Sequence, residues 1–310
     1  MQSWAAVCGW HLQKIEAIFE RAPLTSWHYN KGATSTRRAQ RETRQSEFWP
    51  PMEPPMKKEK YPILEFDNTR VAKLEPSHFC KKTEGYEHCV ITFFREVLDA
   101  MEKEGRIKAV KFLNCETMDV PIYEMEYMGK KVHLSLGYVG AAGSAAFLEE
   151  LIALGFNKFI VCGGAGVLRK DIAVGHLIIP VSAVRDEGVS YHYLAPAREI
   201  ECSPDVVVKI EEEFHKHKID YIKAKTWTTD SFYRETQKKI ELRKSEGCVT
   251  VEMEAAAFFA VARFRNVKLG QILYGGDDLS GVDWDSRKWQ NRADIRKNLV
   301  EISTRICISL

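Results

Sequence analysis

Two short acidic stretches carry the residues with the most chemistry to offer. Val251-Glu252-Met253-Glu254-Ala255-Ala256-Ala257 opens an apolar segment, and Gly275-Gly276-Asp277-Asp278 closes another. A carboxylate at the end of an apolar element is costly unless something pairs with it. Carboxyl groups placed there suit two tasks: accepting hydrogen bonds from hydroxyl groups and moving a proton. Glu254 also has a plain structural explanation, because an acid in the first turn of a helix gains from unpaired N–H groups and the helix dipole. Two acids delivered to one sheet edge are harder to dismiss in that way.

The elements that must position these acids follow from periodicity. Ala256, Phe259, Ala260 and Ala262 lie on an almost uninterrupted apolar surface, which predicts a buried helix beginning near Ala255. Gln271-Ile272-Leu273-Tyr274 reads as a short strand whose exit is the glycine pair, and ligands of open α/β sheets collect at such strand ends. Upstream, strands are expected at 111–113, 122–127 and 131–136, with a Met128-Gly129-Lys130 hairpin turn between the last two. A helix is expected at 145–154, closed by Gly155, then strands at 158–162 and 176–180 and an amphipathic helix at 205–217. A final helix is expected from about Ser286 to the C-terminus. This alternation predicts a single α/β domain.

Composition narrows the function classes. The chain has 310 residues and a formal net charge of +2, so no whole-chain field argues for nucleic acid or an anionic membrane. Its eight cysteines are scattered singly, the histidines show no metal spacing, and no apolar run approaches the length needed to span a bilayer. A reduced, cytoplasmic protein without metal or organic cofactor is the expectation. Residues 1–58 read differently: a short helix over 1–19, a basic polar run over 31–44 and a proline-rich breaker over 49–55 predict a flexible or partly helical arm ahead of a domain at 59–310. A start at Met52 or Met56 would remove that arm.

Two glycine segments follow predicted strands. Gly137-Tyr138-Val139-Gly140-Ala141-Ala142-Gly143 is a weak match to dinucleotide motifs and reads equally as close packing of helix on strand. Cys162-Gly163-Gly164-Ala165-Gly166-Val167 is expected to form a turn whose bare N–H groups line an anion pocket. Neither ends in the Lys-Ser/Thr of a P-loop, which disfavours ATP hydrolysis. Trp284 and Trp289 flank a loop and suit a lid or a core position.

Taken in order, these motifs resemble the nucleoside phosphorylase family of purine nucleoside phosphorylases, uridine phosphorylases and related nucleosidases, over roughly residues 62–310. The resemblance implies a three-layer αβα domain with a central mixed, partly barrel-like sheet. It implies that Glu252, Met253 and Glu254 hold a nucleoside, with Met253 on the sugar face and Glu254 on the 2′ and 3′ hydroxyls. Asp277, 23 positions after Glu254, falls where purine-acting members carry the acid that protonates the leaving base. Asp278 would orient it, and Arg287 would supply the positive charge used beside it. Thr229-Asp230-Ser231-Phe232-Tyr233 is similar to the segment whose phenylalanine stacks on the base, here Phe232. Phe66-Asp67-Asn68-Thr69-Arg70 looks like the early GDPxR segment, so Arg70 would bind phosphate together with Gly163 and Gly164.

Departures bear on the nucleophile. Where the family's phosphorylases place an arginine before the glycine turn and a serine or threonine inside it, this chain has Val161 and Gly164. Arg95, Arg169, Arg185 or a neighbouring subunit would then have to supply charge. The residues that recognise uracil are replaced by Thr236 and Lys238, which points to a purine nucleoside. The resulting expectation is a nucleoside phosphorylase, a pentosyltransferase using inorganic phosphate as co-substrate and assembled as a dimer or trimer of dimers. The alternatives are a phosphate-independent nucleosidase, a uridine phosphorylase and a catalytically silent relative.

Overall fold

The computed structural model describes residues 56–310, so the expected N-terminal arm falls almost wholly outside the described residues. Ten strands alternate with helices: β1 (His88–Thr92), β2 (Lys108–Asn114), β3 (Asp119–Tyr127), β4 (Lys130–Leu136), β5 (Lys158–Val167), β6 (Leu177–Asp186), β7 (Glu199–Glu201), β8 (Tyr221–Thr229), β9 (Cys248–Glu252) and β10 (Lys268–Asp278). The helices are α1 (Arg95–Lys103), α2 (Ala141–Leu154), α3 (Ser190–Tyr193), α4 (Pro204–Lys216), α5 (Gln237–Ser245), α6 (Ala255–Arg265) and α7 (Ala293–Ser309). All strands join one sheet in the order β10-β6-β8-β9-β5-β1-β4-β3-β2, with β7 on the side of β6. Because β5 also pairs with β10, the strands β10, β6, β8, β9 and β5 close into a ring. Closure leaves those five without a free edge, and the remaining strands continue from it as an open sheet.

The sheet is mixed. β5 runs parallel to β1 and β10 but antiparallel to β9, and β10 runs antiparallel to β6. Helices cover both faces, α1, α4 and α7 on one and α2, α3 and α6 on the other, giving the expected three layers. The deepest helix is α6, buried at every apolar position from Ala255 to Phe264. Its run of small alanines permits close approach to α2, and Asn266 in the left-handed region at φ 57° terminates it. The hairpin between β3 and β4 turns at Met128 and Gly129, both at positive φ (50° and 72°), as a tight two-residue connection requires.

Two expectations are corrected here. The segment Cys162–Val167 is not a turn after a strand but the second half of β5 itself, because β10 continues alongside it and gives its backbone a pairing partner through Val167. The last helix begins at Ala293 rather than near Ser286, since Arg287 and Lys288 both adopt positive φ (47° and 50°), which no helix accommodates. Among the described residues no helix is long and apolar enough to cross a membrane.

Candidate active site

The ends of β5, β9 and β10 and the loop after β8 surround a cavity of about 670 Å³. Phe232 and Tyr233, from a short 3-10 turn following β8, form one wall with their rings 4.0 Å apart. Glu252 and Met253 come from the β9–α6 junction, Asp277 from the end of β10, and Trp284 and Trp289 from the connection to α7. The stacking ring, the sugar-side methionine, one glutamate and the acid of the sequence reading therefore meet in one place.

The glutamates divide differently from expectation. Glu252 holds the start of α6: its Oε2 accepts from the N–H groups of Glu254 (2.7 Å) and Ala255 (2.6 Å) while its Oε1 accepts from the Thr228 hydroxyl (2.6 Å). The Thr228 hydroxyl in turn accepts from Ala256 N (3.0 Å), so two orphan donors and a third are satisfied by a coupled pair of side chains. Glu254 does not line the cavity; its Oε1 turns to Gly140 N at 2.6 Å, at the start of α2. The helix-start role suggested for Glu254 thus belongs to Glu252, which is also the glutamate on the cavity wall. Burial pushes both carboxyl groups up, and for Glu254 the charge of Glu252 adds to it. Glu252 accepts three hydrogen bonds and Glu254 one, so the proton such a pair retains belongs on Glu254.

The aspartates split in the same fashion. Asp277 faces the cavity and accepts from the Trp284 indole N–H at 2.7 Å. Asp278 is a scaffold residue: it accepts from Ser280 N (2.8 Å), exchanges backbone hydrogen bonds with Asp285, and pairs with Arg287. Burial opposes its ionisation, but the Ser280 bonds and the Arg287 charge outweigh it and hold Asp278 below the usual carboxylate range. Arg287, expected beside Asp277, is committed to Asp278 and to the Ile172 carbonyl at 2.7 Å. The reason is strand alternation: adjacent residues at the end of β10 point to opposite sides.

The expected phosphate contacts do not assemble. Arg70 lies in a separate groove, with its guanidinium 4.0 Å over the Phe264 ring and donating to the Phe264 carbonyl. Phe264 is ten residues from Glu254 along α6, about 15 Å of helix. Gly163 and Gly164 are required by packing. A side-chain carbon at Gly163 would stand 3.0 Å from the Phe93 ring, and one at Gly164 would stand 2.8 Å from the Trp289 ring. Trp289 is itself fixed, its carbonyl accepting from the Tyr274 hydroxyl at 3.1 Å. Gly137 and Gly143 fit the packing reading too, against Phe93 and Tyr138. Of the other candidate cations, Arg185 is turned inward onto Ser190 and the carbonyls of Leu194 and Ala195, and Arg169 pairs with Asp171. No lysine, arginine or histidine is among the described residues lining the cavity.

Sequence reasoning missed Tyr233 and Glu235, both on the cavity wall. The signal was available: in a 3-10 turn, side chains three apart eclipse, which places Glu235 on the side of Phe232. Burial, aided by the charge of Asp277, pushes the Glu235 carboxyl up to about 7.

The chain is similar to known proteins in sequence and in fold. A guanosine phosphorylase of Halorubrum lacusprofundi is 26% identical over 167 residues, covering 52% of this chain and 66% of the relative. A DeoD-type purine nucleoside phosphorylase of Exiguobacterium sibiricum is 30% identical over 162 residues, covering 49% and 66%. Both alignments thus span just under two thirds of the relative. The solved uridine phosphorylase of Vibrio fischeri, complexed with 6-hydroxy-1-naphthoic acid, shares the fold with a TM-score of 0.61 at 21% identity, over 76% of this chain and 94% of that one. Residues 87–307 match the family described as the phosphorylase superfamily, and the chain belongs to it.

Proposed function

We propose that this protein cleaves the N-glycosidic bond of a nucleoside, purine ahead of uridine, with phosphate as the acceptor of the pentose. The observation that carries the reading is the convergence of Phe232, Met253, Glu252 and Asp277 on one cavity. The base would stack between Phe232 and the neighbouring rings, the sugar would lie over Met253, and Glu252 would accept from its hydroxyls. Asp277 would protonate the base as the bond to C1′ breaks, a contribution of about 10²- to 10⁴-fold in rate. Thr236 and Lys238 in the positions of the uracil-recognising residues support the purine preference.

A second reading, hydrolysis with water in place of phosphate, is favoured by the charge of the wall. Glu235, Glu252 and Asp277 line the cavity without a cation among the described residues. Two like charges 4 Å apart near a protein surface repel by about 4 kcal/mol, so a phosphate dianion enters such a wall at a cost. Phosphorolysis therefore needs a cation from elsewhere, such as a second copy in a homo-oligomer. The test is release of free base from guanosine, inosine, adenosine and uridine, with and without phosphate. Phosphate-dependent release from purine nucleosides supports the first reading, and equal rates without phosphate the second. No cleavage of any of them overturns both.

A further inference from the structure

Trp284 stands where packing gives it little reason to be. It is 65% exposed at the rim of the cavity, whereas Trp289, five residues on, packs against Gly164 and Gly276. A mostly exposed indole gains little from burial, and the specific contact this one makes is the hydrogen bond its N–H donates to Asp277 Oδ2 at 2.7 Å. The backbone delivers it there. Asp278 and Asp285 exchange N–H to carbonyl bonds of 2.8 and 3.0 Å, so Asp277 and Trp284 each immediately precede one member of that pair. The Asp278 carboxylate accepts from Ser280 N at 2.8 Å and pairs with Arg287, which also donates to the Ile172 carbonyl at 2.7 Å, so the loop over 279–284 is pinned at both ends. The cation expected beside Asp277 is thereby spent on the loop, and a neutral donor takes its place. Asp277 Oδ1 has no hydrogen-bond partner among the described residues and lies over Gly166 on β5, 3.6 Å from where a side-chain carbon of that residue would stand.

We propose that Trp284 is the positioning residue of Asp277: its indole N–H holds Oδ2 and leaves Oδ1 to carry the proton to the base. The inference rests on the glycosidic-cleavage reading. An indole nitrogen donates and does not accept, so the oxygen it holds is not the one that offers a proton. As the bond from C1′ to the base nitrogen breaks, its electron pair passes to the base and the proton leaves Oδ1 for a base ring nitrogen. The acceptor, phosphate or water, bonds to C1′, and water in that role gives up one proton to solvent. The carboxylate so formed is a stronger acceptor than the acid it replaces, so the indole bond strengthens as the proton departs, which favours the transition state over the ground state. Solvent returns a proton to Oδ1 after the base has left.

The experiment compares kcat and KM for guanosine and for 7-methylguanosine, whose base already carries the positive charge that protonation would give it. It uses the wild type, Trp284→Phe, Asp277→Asn and the double variant, with phosphate present. Trp284→Phe keeps a ring and loses the donor, so kcat for guanosine is expected to fall about ten- to hundredfold with KM within about threefold of the wild type. On 7-methylguanosine, which leaves without a proton, the loss is expected to shrink to within about threefold. Adding Trp284→Phe to Asp277→Asn is expected to cost no more than about twofold further, because the acid it serves is already gone. Equal losses on both nucleosides, or losses that multiply in the double variant, overturn the proposal. So does a raised KM at unchanged kcat, which would make Trp284 a wall for the base and nothing more. Nitrogen-15 NMR of labelled indoles reads the contact without turnover: the resonance lost in Trp284→Phe is expected to shift in Asp277→Asn, and an unmoved resonance overturns the contact. If that resonance shifts while the wild type cleaves no nucleoside, the functional reading fails and the delivery step falls with it.

Discussion

The β9–α6 junction and the end of β10 each carry two acids, and each divides them between cavity and scaffold. At the junction, Glu252 faces the cavity while also holding the first turn of α6, and Glu254 ties that helix to the start of α2 through Gly140. At the end of β10 the roles are separated: Asp277 faces the cavity, and Asp278 anchors the following loop through Ser280 and Arg287. The difference lies in cost. A wall carboxylate that also satisfies orphan helix donors is fixed by the fold, whereas one held by a single exposed indole has its other oxygen turned to no donor among the described residues. The first arrangement suits binding and the second suits proton transfer.

The sharpest way to break this comparison is to neutralise the two aspartates separately. Asp277→Asn is expected to lower kcat/KM for base release by about 10²- to 10⁴-fold while leaving the thermal midpoint nearly unchanged. Asp278→Asn is expected to do the reverse, removing a largely buried ion pair and costing about 3 kcal/mol in urea unfolding, with a smaller loss of rate. Equal activity losses in the two variants would show that the division at β10 is wrong.

The glutamate side is read through stability. Glu254 has its carboxyl raised above the ordinary value of 4.5, first by burial and then by Glu252. The folded state therefore binds more protons than the unfolded state above that value, so stability falls as the pH rises from about 4.5 through neutrality, and is flat once the folded group has ionised. Glu254→Gln should make that decline shallower, seen as a thermal midpoint that drops less between pH 5 and 8 than in the wild type, the remainder coming from Glu235 and Glu252. Glu252→Gln should instead lower the unfolding free energy in urea across the pH range, by about 1–3 kcal/mol, because an amide oxygen and NH2 cannot accept from all three donors. A pH-dependent effect at Glu252 with none at Glu254 would reverse the assignment of the shared proton.

How much of this was legible follows from the range of the interactions. The helix after Ala255, the strand over 271–274 and the hairpin at Met128–Gly129 are local patterns of apolar period and turn residue and appear where expected, but that strand does not exit at the glycine pair: it runs through Gly275 and Gly276 to Asp278. The meeting of Phe232, Met253 and Asp277 was legible through the order of motifs. Which acid of each doublet faces the cavity was not, because it depends on where strand pairing stops, and β10 continues to Asp278 only because β5 extends beside it. Gly163 and Gly164 misled for the same reason: a glycine run looks like a turn until the aromatic rings that need the space are in place. Gly164→Ser tests this, since the added atoms meet Trp289 and should cost about 1–3 kcal/mol, relieved when Trp289→Leu is combined with it. Additive costs in the double variant would mean that the indole does not dictate the glycine.

Arg70 supplies the smallest expected effect and the most direct contradiction of the resemblance. The sequence segment places it among phosphate ligands, yet its guanidinium stacks on Phe264 at 4.0 Å, near the far end of α6 from the acids. A cation over an aromatic ring at an exposed site contributes about 0.5–1 kcal/mol, so Arg70→Ala should lower urea stability by that amount. Its kcat/KM and its KM for phosphate should stay within about twofold of the wild type, since nothing on the cavity wall touches it. A KM for phosphate raised tenfold or more, with stability unchanged, would place Arg70 on the anion during turnover. The segment from Glu65 to Leu74 would then have to move toward the cavity, and the acidic wall would have found its missing cation within this chain.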